Sequence, residues 1–104
     1  MMRLVLALML LLAAPALAAP PASGTLVEIP EFASKFVKPR HVSIWLPPGY
    51  SAQGKPARVL YMHDGQNLFD PPSPMAHGAW EVDRHLVTMR RAGLIRPTLV
   101  VAIW

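Results

Sequence analysis

The chain has 104 residues, with ten Lys and Arg against six Asp and Glu (a formal net charge of +4) and no cysteine. Its basic residues are scattered, Arg90-Arg91 being the one adjacent pair, whereas a nucleic-acid footprint needs a dense basic stripe with interleaved aromatics; nucleic acid is therefore excluded as a partner. The lack of cysteine rules out disulfides and a lipid-modified N-terminal cysteine, and small exported domains usually depend on such staples.

The first 18 residues read as a secretory signal peptide. Arg3 provides the basic start, residues 4–12 the apolar block, and Ala16-Leu17-Ala18 the small-residue exit before Ala19. The block is short for a bilayer span, so the expectation is an exported protein, periplasmic or secreted, without a stable membrane anchor. Ala19 to Gly24 is rich in Ala, Pro, Ser and Gly and is expected to be a flexible mature N-terminus leading into a first strand, the two together covering residues 19–36.

Residues 26–29 form a candidate short strand closed by Pro30. Residues 41–46 alternate, with Val42, Ile44 and Leu46 expected on the buried face, and Pro47-Pro48-Gly49 ends the strand. After a polar turn, Arg58 to Met62 is a short apolar block that stops at His63-Asp64-Gly65-Gln66-Asn67. A buried parallel strand has this form, and its carboxyl end is where open α/β sheets place ligands. The Asp-Gly pair is also a common hairpin turn, but no second strand follows within range. The next residues are the irregular, proline-rich 70–74.

Residues 80–92 are predicted to be a helix burying Val82, Leu86 and Met89, with Trp80 and Val87 flanking. Glu81 and Asp83 in its first turn and Arg90 and Arg91 in its last suit the helix dipole, and Glu81 with His85 reads as an ordinary pair four residues apart. Residues 98–104 form a second apolar strand. The expected fold class is α/β: antiparallel lead-in strands followed by one βαβ unit with a parallel pair. An uncovered apolar strand at residue 104 leads to the expectation that the chain is the front part of a larger domain.

Two other sites do not hold up. Residues 49–54 approach the Gly-x-Ser-x-Gly elbow, but prolines precede Ser51 and Gln53 stands where the final glycine belongs. The four histidines lack metal-binding spacing with the acidic residues, so neither a metal nor a cofactor is called for.

The segments VSIWLPPGY, VLYMHDGQNLFD, WEVDRHL and IRPTLVVAIW together resemble the start of the esterase D and enterochelin-esterase-like branch of the α/β-hydrolases, over residues 37–104. The resemblance implies the N-terminal part of an α/β-hydrolase fold and an exported serine esterase that works through an acyl-enzyme. Small-molecule or saccharide-linked esters would be its substrates. It also implies that the backbone N–H of Gln66 is one oxyanion-hole donor, with Gly65 setting the loop geometry. The nucleophilic serine, the acid and the histidine are not in this chain; the elbow is expected a few tens of residues beyond Trp104. The fragment alone should be inactive. A non-catalytic secreted binding module and an acyltransferase of the same fold are the alternatives.

Overall fold

A computed structural model of the chain describes residues 24–69 and 78–104. The expected signal peptide, most of the Ala/Pro-rich N-terminal segment and the proline cluster at 70–74 lie outside the described residues.

Among the described residues there are four strands and one α-helix: β1 (Thr25–Phe32), β2 (Arg40–Leu46), β3 (Arg58–Met62), α1 (Val82–Arg91) and β4 (Thr98–Ile103). They make one mixed sheet in the order β1-β2-β4-β3. β1 pairs antiparallel with β2, β2 antiparallel with β4, and β3 parallel with β4. Asp64-Gly65 therefore closes no hairpin. The chain leaves β3, passes through α1 and returns as β4, a crossover that a parallel pair requires.

Register divides the sheet into two faces. Leu26, Trp45, Val100 and Leu60 lie in one cross-strand row, and Glu28, Ser43, Ala102 and Met62 in the next. Trp45, Val100 and Ala102 from these rows join Leu68 and Phe69 in the core, against which Met62, Val82, Leu86 and Val87 pack. The helix thus covers this face. Val27, Ile44, Val101 and Tyr61 share a row on the opposite face, which no described helix covers.

Several expectations need correction. β1 does not stop at Pro30 but continues to Phe32, with a register shift between Ile29 and Phe32. An edge strand tolerates proline because the missing N–H can face outward, and the irregularity absorbs the ring. On β2, Ser43 and Trp45 are the most deeply buried, ahead of Val42, Ile44 and Leu46, because α1 lies on the Trp45 side. The helix starts at Val82, so Trp80 is outside it, and both Trp80 and Met89 are exposed. Its inward stripe is Val82, Leu86 and Val87. Glu81 pairs with Arg84 at 2.9 Å rather than with His85.

Helix α1 begins without a side-chain cap; Glu81 takes the N-cap position in left-handed geometry, φ 56° for Asp64 in the earlier loop being matched here by 55°. The Val82 N–H donates instead to the Leu68 carbonyl at 3.0 Å, and the Trp80 N–H to that of Asn67 at 2.7 Å. At the other end, Gly93 (φ 73°) turns the chain so that the Leu94 N–H donates to the Met89 carbonyl and the Gly93 N–H to that of Arg90. That pair of bonds is a Schellman cap.

Candidate functional site

The loop after β3 is shaped by its own backbone. Asp64 adopts left-handed φ and ψ, and Gly65–Asn67 forms one 3₁₀ turn. The Asn67 N–H donates to the Asp64 carbonyl at 2.9 Å. Leu68 and Phe69 then enter the core, fully buried and 7% exposed respectively, and they anchor the turn to the sheet.

Gly65 is buried where the turn crosses the end of β4. A Cβ there would lie 2.6 Å from Trp104 Cδ1 and 3.0 Å from the Ala102 carbonyl carbon. Only glycine allows this approach, a packing requirement rather than a dihedral one. The first N–H groups of a helical turn have no acceptor within it. Accordingly, the Gln66 N–H meets no acceptor among the described residues. The Gln66 side-chain oxygen is also buried without a hydrogen-bond donor among them.

Gly65, Gln66, Phe69 and Trp104 line a cavity of about 280 Å³ together with Glu28, His41 and Ser43. The last three form a polar circuit with Trp104. Trp104 Nε1–H donates to Ser43 Oγ at 3.0 Å, and the Ser43 hydroxyl donates to Glu28 Oε2 at 2.5 Å. The same Glu28 oxygen is 2.6 Å from His41 Nε2. His41 closes the circuit by stacking on Trp104, with ring centroids 3.9 Å apart and planes within 1° of parallel.

A serine, a carboxylate and a histidine are thus gathered beside Gln66, but in the wrong order for nucleophilic catalysis. The carboxylate stands between the other two, whereas an activated serine needs the imidazole as its immediate partner. The circuit instead holds Trp104 against Gly65. Sequence reasoning assigned no role to Glu28, Ser43 or Trp104 and set His41 aside as incidental. Glu28 and Ser43 are direct cross-strand partners. The available cue was two polar residues on the core-facing side, alternating with Leu26 and Trp45.

Ser51 lies in the turn after β2, where its hydroxyl accepts from the Gln53 N–H at 3.3 Å; no strand leads into it and no helix leaves it. Among the described residues no three His, Asp or Glu side chains are placed to share a metal ion. No described helix is long and apolar enough to cross a membrane. Comparison of the chain with protein-family models, characterised proteins and solved structures finds no match.

Proposed function

We propose that residues 37–104 form the leading part of an exported serine esterase domain of the α/β-hydrolase type, which hydrolyses small-molecule or saccharide-linked carboxylic esters through an acyl-enzyme. The observation that carries this reading is the Gln66 N–H. It has no acceptor among the described residues, it sits on a turn at the carboxyl end of a parallel strand, and its residue lines a cavity. An oxyanion hole needs such a donor, held in place before the reaction and not engaged elsewhere. In this reading the glycine at position 65 lets the turn press against Trp104, and the polar circuit keeps that indole in place. The nucleophile, acid and histidine come from outside this chain.

The test uses the native gene product as cells export it. A fluorophosphonate probe should label a serine within a Gly-x-Ser-x-Gly peptide, and the labelled protein should lose aryl-ester hydrolysis. A native product with neither labelling nor hydrolysis overturns the reading. In the active protein, Gln66→Ala keeps the N–H and should leave turnover nearly unchanged. Gln66→Pro removes the donor and should lower turnover by roughly 10²–10³-fold. Proline also disfavours helical geometry at Gly65, so circular dichroism of the variant must match the parent. Parental turnover in a folded Gln66→Pro enzyme would remove Gln66 from the oxyanion hole.

A further inference from the structure

A second cavity lies away from Gln66. It is a cleft of about 400 Å³ near the Pro97-Thr98 start of β4, whereas the Gln66 loop follows the far end of β3. Trp45, Leu86 and Val87 contribute to its lining. All three belong to the core or pack directly on it, so the cleft has an apolar floor. Lys55, Arg90 and Arg91 also line it, and among the described residues no Asp or Glu does.

These three cations have no ion-pair partner among the described residues. The ordinary role for arginines in the last helical turn is to satisfy the final carbonyls and the dipole. Here the Gly93 turn already provides backbone donors to the Met89 and Arg90 carbonyls. The two guanidiniums are therefore not needed as caps. Three positive charges with no acidic neighbour among the described residues, set around an apolar floor, raise the local potential for an anion that also has apolar surface to bury.

We propose that this cleft binds a small organic carboxylate with an apolar body, an alkyl or aryl acid, its carboxylate held by Lys55, Arg90 and Arg91 and its hydrocarbon part lying toward Trp45, Leu86 and Val87. The cleft's size lies within the usual range for small-molecule sites. Guanidinium forks match carboxylate geometry with two parallel hydrogen bonds. The proposal is independent of the esterase reading, because it uses neither Gln66 nor any nucleophile.

Equilibrium dialysis of the full chain against decanoate, decanol, decyltrimethylammonium and acetate provides the test. Decanoate should bind one per chain, more weakly as salt rises, while the other three bind far less. Neutralising Arg90 and Arg91 together (R90Q/R91Q) should weaken decanoate binding roughly tenfold, on the scale of two partly exposed charge contacts. Lys55→Gln should weaken it less. A diazirine-bearing decanoate should cross-link to residues 47–55 and 86–91, a readout that does not depend on the chain being monomeric. Decanol or the cationic analogue binding as well as decanoate would overturn the proposal. So would unchanged affinity in R90Q/R91Q, or cross-links confined to the uncovered sheet face around Val27, Tyr61 and Val101.

Discussion

Gly65 shows how little room the loop after β3 has. In Gly65→Ala the new methyl would meet the Trp104 ring, which can shift, and the Ala102 backbone, which cannot. The expected loss is about 1–3 kcal/mol, the usual range for overpacking, measurable by urea denaturation. Trp104→Ala removes only the first obstacle, so the double variant should recover part of that loss, not all of it. A fully neutral Gly65→Ala would mean that the turn does not press on β4. Neighbouring residues of the polar circuit should differ sharply in their effects. Ser43 is 1% exposed, and Ser43→Ala strands the Trp104 N–H, which should cost about 1–3 kcal/mol. The Glu28 side chain is 42% exposed, so Glu28→Ala should cost under about 1 kcal/mol, since water can replace its partners. The reverse order in denaturation midpoints would rule out Ser43 as the buried support of the Trp104 N–H.

Among the elements, those with strong local periodicity were legible in advance and those decided by contact were not. The apolar blocks at 58–62 and 98–103 are strands, and their parallel pairing follows from the helical segment between them. The extension of β1 past Pro30 was hidden, because only strand order reveals that β1 is an edge. The start of α1 was hidden for a related reason. Its first donor, the Val82 N–H, is satisfied by the Leu68 carbonyl, a contact that leaves no capping residue in the local sequence. The Gln66 turn was legible as a polar stop after a strand, but Glu28, His41 and Ser43, which line the cavity with it, are far away in the chain and meet through strand register. Glu81 offers a test of this account, because a glutamate in left-handed geometry is strained. Glu81→Asn should raise stability by up to about 1 kcal/mol, as asparagine tolerates that region, whereas Glu81→Val should lower it by roughly 1–2 kcal/mol. Equal thermal midpoints for the two variants would show that the left-handed turn is not retained in solution.

At the scale of the molecule, one face of the sheet has a helix and the other has none among the described residues. Val59 and Tyr61 are 46% and 69% exposed on β3, an edge strand, and Val27 is 42% exposed on β1. Exposed apolar faces and open edges promote association. The 104-residue chain on its own should therefore bind a hydrophobic dye strongly and scatter light at micromolar concentration. Val59→Lys or Tyr61→Lys should reduce both signals. A dye-silent monomer with a sharp thermal transition would contradict this expectation.

The strand order also sets a timetable. β2 can pair with β1 across a short connection, but its other neighbour is β4, where Val42 meets Ile103; among the described strands β3 joins the sheet only through that same late strand. A two-stranded hairpin is marginal in water, and closing the long intervening loop carries an entropic cost before any contact rewards it. Commitment to the folded state therefore waits for β4, and until β4 docks the chain is little more than a hairpin with a tail. If export is its route, this delay keeps it threadable for longest. Truncating Val100 to Ala should accordingly slow refolding, while Ile29→Ala should mainly hasten unfolding; stopped-flow tryptophan fluorescence showing the opposite partition would place the nucleus at the hairpin instead.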